Sequence, residues 1–330
     1  MRIPGKKTLQ RLVRPLVSTL RPGGLILGYH RIAEASWDPL GICVSPVHFR
    51  QHLEVLLDLC TPVTLQTLVN RLREKKNVKD MVALTFDDGY RDFVENARPE
   101  LDRLGVPATV FIATGFIGKT YWWDEVALCL RPDNQTSPEL AVRWNEPGNT
   151  RVYSHLTSER GATRAAQDLC RDLSMCTATV RADIMEQLRQ RGQTASAPGT
   201  GSKAMSEHQL RELAESPNME IGSHTVNHPM LAQLKPSEQC REIESSRRHL
   251  EAIAGSRGIQ GFAYPHGSFE EHTRQLVAEQ GYEYACASQQ GVARHGLDLY
   301  SLPRLWAPDA DQRKFRVWLS SWRGVRWGGG

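Results

Sequence analysis

Short apolar runs, each followed at once by polar residues, are the clearest pattern in this chain. Three of them, with the polar residue that follows each, are 24–29 before His30, Met81–Phe86 before Asp87, and 219–222 before His224. Two of the runs contain one polar residue each, Thr85 and Glu220, but mostly apolar runs of this length are typical of strands buried in a parallel sheet. Because α/β proteins build their sites at the carboxyl ends of such strands, we predict an α/β fold with functional groups at these three ends.

A long insertion separates two of the predicted strands. Residues 158–191 carry apolar side chains at helical spacing among charges, and residues 193–202 form a linker rich in glycine, alanine and serine. We therefore predict a helical insertion over residues 119–203 between two parts of one domain, residues 25–118 and 204–312. Trp122 and Trp123, near its start, either anchor the insertion in the core or stack on a sugar ring, and we favour anchoring.

The two ends of the chain are basic. Residues 1–24 place apolar side chains on one helical stripe with lysines and arginines near the opposite face, and residues 313–330 mix tryptophans with arginines. Such segments can lie on an anionic membrane surface or pack as ordinary helices. The chain shows neither the apolar core of a secretory signal nor a run long enough to span a membrane. We expect a cytoplasmic protein, with peripheral membrane contact through these ends as an alternative to helix packing.

Composition agrees with a globular enzyme. The chain has 330 residues, of which 40% are apolar and 24% charged, and its formal net charge is +4. So small a positive charge, spread along the chain, does not favour a nucleic-acid partner, and no glycine-rich phosphate loop is present. Its seven cysteines form no CxxC pair, which favours a reducing compartment.

Asp87 and Asp88 are the first candidate functional pair. Side chains alternate in direction along extended backbone, so the two carboxylates should point differently. One can then ligate a metal while the other accepts a proton from a bound water. The alternative is structural, since Asp-Asp-Gly also suits the N-cap of a helix that follows a strand.

His224 and His228 shift the balance towards a metal site. A spacing of four residues brings both imidazoles to one side of a helical turn or tight loop, close enough to share an ion. One carboxylate with two imidazoles is a facial ligand set that leaves positions open for water and substrate. A single histidine here would more often be structural, but the pair and the two aspartates together predict a metal-dependent hydrolase.

The segments Thr85-Phe-Asp-Asp-Gly89 and His224-x-x-x-His228 resemble the polysaccharide deacetylase superfamily, the NodB-homology carbohydrate esterases. The resemblance covers roughly residues 25–118 and 204–310 and implies a distorted (β/α) barrel. It also implies metal-assisted removal of N-acetyl or O-acetyl groups from sugars. By the family pattern Asp87 is the general base, and Asp88, His224 and His228 hold one divalent ion, Zn²⁺ first, with Co, Ni or Mn as alternatives.

Two family positions are filled differently in this chain. The third motif, Phe262-Ala-Tyr-Pro-His-Gly267, has Ala263 where the family usually has an arginine that orients the base. Arg304 is our candidate substitute, although a surface arginine is the ordinary interpretation of such a residue. The usual C-terminal histidine that acts as acid is also missing. His30, in a Tyr-His pair like that of the permuted poly-N-acetylglucosamine deacetylase branch, is our candidate acid, and a structural histidine is the alternative.

These parts define a reaction. Asp87 would take a proton from the attacking water, the backbone N–H of His266 would help to hold the oxyanion beside Tyr264 of the same motif, and protonated His30 would protonate the leaving amine. We expect a carbohydrate substrate from a bacterial surface polysaccharide or a lipid-linked glycan. Two alternatives stay open, namely a related C–N hydrolase such as a deformylase or amidase, and a non-catalytic glycan-binding module.

Overall fold

A parallel sheet of eight strands forms the centre of the protein. The computed structural model describes residues 23–134, 137–144, 149–190 and 203–323, so the predicted N-terminal helix, the linker at 193–202 and the end of the C-terminal tail lie outside the described residues. Among the described helices, none has the length and apolar character needed to cross a bilayer.

The strands of the central sheet are short, and their order in the sheet differs from their order in the chain. The described strands are β1 Leu25–Tyr29, β2 Arg31–Ile32, β3 Cys43–Val44, β4 Thr61–Pro62, β5 Met81–Phe86, β6 Ala108–Ile112, β7 Glu139–Arg143, β8 Thr150–Ser154, β9 Met219–Ser223, β10 Gly261–Ala263, β11 Tyr284–Cys286 and β12 Leu305–Trp306. The central sheet runs β11-β10-β9-β6-β5-β1-β12, with β4 added beside β5. Strands β1, β5 and β9 coincide with the three apolar runs of the sequence.

Helices join the parallel strands of the sheet and cover its outside, as crossovers require. They are α1 Pro46–Leu59, α2 Leu65–Arg73, α3 Arg98–Leu104, α4 Trp122–Cys129, α5 Glu159–Ser174, α6 Ala178–Gln190, α7 Glu207–Glu215, α8 Pro236–Ala254, α9 Glu271–Glu279 and α10 Gln312–Arg323. Three of these helices, α4 to α6, belong to the insertion. Several of the helices begin with an ordinary side-chain cap. Ser45, for example, caps α1 by accepting a hydrogen bond from the His48 N–H, and Pro46 occupies the first helical position.

The two edges of the sheet are brought together by one short segment. Leu302 exchanges backbone hydrogen bonds with the β11 region, where its N–H donates to Ala285 and its carbonyl accepts from Ala287. Three residues later, Leu305 pairs with Leu27 of β1. This segment therefore closes the sheet into the distorted barrel that the resemblance implied, and Arg304 lies at the seam.

The insertion differs in detail from the helical unit that its sequence predicted. Two helices, α5 and α6, lie within residues 158–190, and the polar stretch before them contains an antiparallel hairpin of β7 and β8. The hairpin was missed because Leu140, Val142 and Tyr153 supply the few buried positions of two otherwise exposed strands. With α4, these elements share one hydrophobic cluster that is distinct from the main core of the barrel. Trp122 and Trp123 are 7% and 6% exposed and belong to that cluster, as the anchoring role requires.

Candidate metal and hydrolase site

Asp87 and Asp88 lie at the carboxyl end of β5, as their place in the sequence indicated. The backbone N–H of Asp87 donates to Tyr29 of β1, so Asp87 still belongs to the sheet. Asp88 turns away from it with a φ of 71°, a conformation that residues other than glycine rarely adopt. Both residues are 3% exposed, and an oxygen of each carboxylate lies within 4.0 Å of His224 Nε2.

His224 and His228 come from the loop that follows β9. The His224 Nε2 atom lies 3.7 Å from Asp88 Oδ1, and the His228 Nε2 atom lies 3.4 Å from the same oxygen. His224 Nδ1 is 2.7 Å from the carbonyl oxygen of Ala263, to which it donates in the tautomer that leaves Nε2 free. The loop is a tight one: Thr225 and His228 have φ of 65° and 54°, and Thr225 Oγ1 accepts from the His228 N–H.

The chemistry of this group suits a divalent cation. The ligand atoms of Asp88, His224 and His228 all lie within 4.8 Å of one another, and the three residues are buried. Asp88 Oδ1 has no hydrogen-bond donor among the described residues. Burial, with the charge of Asp87 beside it, raises the pKa of Asp88 well above its usual value. Burial lowers the pKa of His224 to about 4, so its imidazole is in the neutral form that binds metals. A cation would satisfy the buried oxygen and relieve the repulsion between the two carboxylates.

Asp87 is held by a fully buried arginine. Arg304 Nη1 and Nη2 donate to the two carboxylate oxygens of Asp87 at 2.6 and 2.7 Å, a bidentate pair. Burial alone would raise the pKa of Asp87, but the guanidinium outweighs it and the pKa falls to about 2. Arg304 is therefore not a surface residue, and the structure places it where the sequence analysis expected an orienting arginine. The next carboxylate along the chain, Asp88, has its pKa moved in the opposite direction.

His30 borders the same site from the end of β1. Its ring stacks on the indole of Trp306 at a centroid distance of 4.7 Å. That indole fits against β1 because residue 28 is a glycine, since a Cβ there would approach the ring within 2.7 Å. Burial lowers the pKa of His30 to about 4, although the charge of Asp87 opposes this. The resting imidazole is therefore neutral at pH 7, whereas the sequence analysis expected an imidazolium.

The third motif places His266 at the site, whereas the hydroxyl of Tyr264 points away from it. The His266 ring lies 4.5 Å from the His228 ring between centroids, and its backbone has a φ of 55°. The hydroxyl of Tyr264 donates to the carbonyl of Tyr300 at 2.9 Å, so its polar end is already paired with the chain. Tyr264 can therefore contribute apolar surface to the site, but its hydroxyl is not aimed at a ligand.

Residues of the insertion contact two of the predicted metal ligands, Asp88 and His228. The sequence did not indicate this role for them. Tyr121 donates its hydroxyl proton to the backbone carbonyl of Asp88 at 2.6 Å. The Trp123 ring lies 4.8 Å from the ring of His228, and its Nε1–H donates to the hydroxyl of Tyr90. Tyr90 in turn donates to Asp124. The cluster Tyr-Trp-Trp-Asp directly after the first part of the barrel was the available signal.

A cavity of about 660 Å³ opens beside the candidate metal ligands. Asp87, Asp88, the two histidines of the loop, His30 and His266 line it together with apolar side chains, which include Leu40, Ile42, Trp122, Met230 and Trp306. The structure thus brings together every residue named from the sequence except Arg304, which lies directly behind Asp87. The arrangement offers a carboxylate held ionised, a predicted cation site and two further imidazoles around one largely apolar cavity.

Comparison with known proteins agrees with this geometry. The family model of the polysaccharide deacetylases matches residues 74–184 and 172–285. YxkH of Bacillus subtilis (strain 168), assigned as a polysaccharide deacetylase, is 22% identical over 294 residues, which are 88% of this chain and 73% of that protein.

Solved structures show the same fold. The deacetylase PplD of Streptococcus pyogenes, in complex with acetate, has a TM-score of 0.58 and 20% identity over 89% of this chain and 96% of that chain. IcaB of Ammonifex degensii has a TM-score of 0.60 and 18% identity over 92% and 98% of the two chains. The resemblance drawn from the sequence motifs is confirmed, and this chain belongs to the polysaccharide deacetylase family.

Proposed function

We propose that this protein is a metal-dependent deacetylase that hydrolyses N-acetyl or O-acetyl groups of a sugar in a surface polysaccharide or a lipid-linked glycan. One observation carries the proposal. A buried carboxylate, Asp87, is kept ionised by Arg304 immediately beside a second buried carboxylate that faces two imidazoles. A binding module needs no ionised base at such a site, whereas hydrolysis of an amide or ester by water needs one.

Asp88, His224 and His228 would hold the cation. A divalent ion such as Zn²⁺ supplies Lewis-acid chemistry when bound, because it lowers the pKa of a water and polarises an acyl oxygen. Asp87 accepts the proton of the attacking water. Arg304 binds both oxygens of Asp87, so the carboxylate stays oriented and ionised until the proton is transferred.

His30 and His266 would act on the other side of the acyl group. His30 is neutral in the resting site, so it must gain a proton during the reaction before it can protonate the leaving amine. Its stacking on Trp306 holds the ring at the rim of the cavity. The backbone N–H of His266, in its left-handed turn, remains our predicted donor to the oxyanion.

The decisive experiment measures acetate release from a panel of acetylated sugars, with formylated sugars and acetylated non-sugar amides beside them. We expect release from the acetylated sugars, and at least a 10²-fold lower rate for Asp87→Asn, because an amide cannot accept the proton of water. Asp58→Asn, an exposed carboxylate on α1, is the matched control. Release from the non-sugar amides alone would identify a different C–N hydrolase, and sugar binding without any release would identify a glycan-binding module.

A further inference from the structure

A second groove, about 960 Å³ in volume, lies on the insertion between β8 and α5. Four arginines line it, and we call it the arginine groove: Arg151, Arg160, Arg164 and Arg171. Arg171 also lines the cavity of the candidate metal site. The two depressions therefore adjoin at Arg171.

Three of the arginines form one stripe along α5. Arg160, Arg164 and Arg171 are separated by four and seven residues, which places them on the same face of the helix. At 1.5 Å per residue, the stripe extends for about 16 Å towards the metal site. The groove thus presents a row of guanidinium groups that leads to the place where hydrolysis would occur.

Part of this positive charge has no ion-pair partner among the residues that the structure describes. Arg151 pairs with Asp172, and Arg171 pairs with Asp168. None of the ion pairs found within the described ranges includes Arg160 or Arg164. Glu159 lies in the same turn of α5 but pairs with neither. Two arginines therefore face the groove with their charges unbalanced.

The position of these two arginines is unfavourable for the helix itself. Arg160 lies in the first turn of α5, where the helix dipole disfavours cations, and Arg164 places a like charge four residues away. Both effects disappear when an anion binds between them. Ser158 caps this helix and Glu159 offsets part of the unfavourable charge, but Glu159 forms no ion pair with either arginine. A local arrangement that reduces helix stability is typical of a functional site.

We propose that the arginine groove binds carboxylate or phosphate groups of an anionic glycan and so directs its acetylated sugar into the metal site. Guanidinium groups match both anions through paired N–H donors. This inference rests on the proposed deacetylase function for its biological meaning, but the groove can be tested by binding alone.

The test compares equilibrium binding of two oligosaccharides of equal length to the full chain. One alternates N-acetylglucosamine with glucuronate, and the other contains N-acetylglucosamine only. We expect the anionic oligosaccharide to bind more tightly, and its Kd to rise about fivefold or more in the double variant Arg160→Gln/Arg164→Gln, with a smaller difference at high salt. Binding of the neutral oligosaccharide should not change.

The control is Arg313→Gln, which removes an exposed arginine from the first turn of α10, outside the groove and the cavity.

A second variant, Arg160→Glu, separates an effect on folding from an effect on binding. It should raise the Tm by about 1–2 °C, because it places an acid at the helix start and opposite Arg164, and yet it should weaken binding of the anionic oligosaccharide. A purely structural role for Arg160 would not move the two properties in opposite directions.

A further arm, binding of inorganic pyrophosphate, distinguishes the two anion sources. If pyrophosphate binds the wild type and not the double variant, the natural ligand is a phosphate-bearing glycan. If the double variant loses binding only of the glucuronate oligosaccharide, the ligand is a carboxylate-bearing polymer. Chelation of a bound metal by pyrophosphate affects wild type and variant equally, so the difference between their Kd values reports on the groove.

Equal Kd values in wild type and double variant for every anionic probe would overturn the inference. Absence of acetate release from any substrate would instead count against the proposed function, since these Kd values do not depend on turnover.

Discussion

At the scale of single residues, the candidate site contains two adjacent aspartates whose pKa values are shifted in opposite directions. Arg304 lowers the pKa of Asp87 to about 2 against the effect of burial, whereas burial and its neighbour raise the pKa of Asp88. The sequence predicted that both carboxylates follow a buried strand, because the apolar run is local. It predicted different directions for them from extended backbone, whereas Asp88 has a left-handed φ of 71°. The sequence also offered Arg304 as a candidate partner of Asp87, but the pKa shifts could not be predicted. That of Asp87 depends on a bidentate contact across 217 positions, and that of Asp88 depends on burial in the folded chain.

Replacing Arg304 should change the pH dependence of the reaction as well as its rate. In Arg304→Met the buried Asp87 loses its cation, so its pKa rises, and the fraction of ionised base falls at any acidic pH. The acid side of the kcat/KM profile should therefore move to higher pH, measured between about pH 4 and 8. Arg304→Lys keeps the positive charge and should leave the acidic limb of the kcat/KM profile near its wild-type pH. An unchanged limb in Arg304→Met would show that Asp87 is not the base.

Replacing His30 should affect substrates according to their leaving groups. His30→Gln removes a group that can carry a proton but keeps a polar side chain of similar size. Release of acetate from an N-acetyl sugar should fall far more than release from an activated aryl acetate, by about 10²-fold, because a phenolate leaves without protonation and a sugar amine does not. Equal losses on both substrates would make His30 structural and would direct attention to His266.

At the scale of elements, local burial determined which parts of the fold could be predicted. Strands β1, β5 and β9 are buried along nearly their whole length, so their apolar runs identified them. The seam at Leu302 and the β7–β8 hairpin were not predictable in the same way. The seam depends on pairing between segments far apart in the chain, and the hairpin has few buried positions.

Packing between α1 and α10 should make stability depend on pH. His52 of α1 is buried against Phe315 of α10, with ring centroids 3.7 Å apart, and burial lowers its pKa to about 4. An unfolded histidine titrates near 6.5, so the unfolded state binds more protons between these values. The stabilisation is complete above about pH 6.5 and is lost as the pH falls towards 4.

Urea unfolding at two pH values measures this contribution. The free energy of unfolding should decrease between pH 7 and pH 5 by about 2 kcal/mol more in wild type than in His52→Gln, which cannot titrate. His249→Gln, at an exposed position of α8, is the control and should behave like wild type. The same pH dependence in wild type and in His52→Gln would mean that His52 does not control this interface.

At the scale of the whole molecule, the insertion and the barrel share one site. Tyr121 bonds the Asp88 carbonyl and Trp123 packs on His228, so two predicted ligands from different strand ends are also held by the insertion. The division into barrel, insertion and tails remains a prediction from the sequence. It follows from these contacts that a cation bound at Asp88 should stabilise both parts together.

Metal binding should therefore appear in the thermal unfolding of the whole chain. A ligand that binds only the folded state at 100 times its Kd stabilises it by about 2.7 kcal/mol. We expect Zn²⁺ to raise the Tm of chelator-treated protein, and His228→Ala to abolish most of that rise. A full Tm shift in His228→Ala would place the ion elsewhere.

The pairing of Asp87 with Arg304 also sets an order of events during synthesis. The two residues are 217 positions apart in the chain. At roughly 5–20 residues per second, on the order of 10–40 s pass on the ribosome between the one and the other. Until the arginine emerges, any burial of Asp87 favours its protonated form. A nascent chain can thus contain Asp87 for many seconds before its guanidinium partner is available, so the proposed base becomes ionised in its buried place only when the barrel has closed.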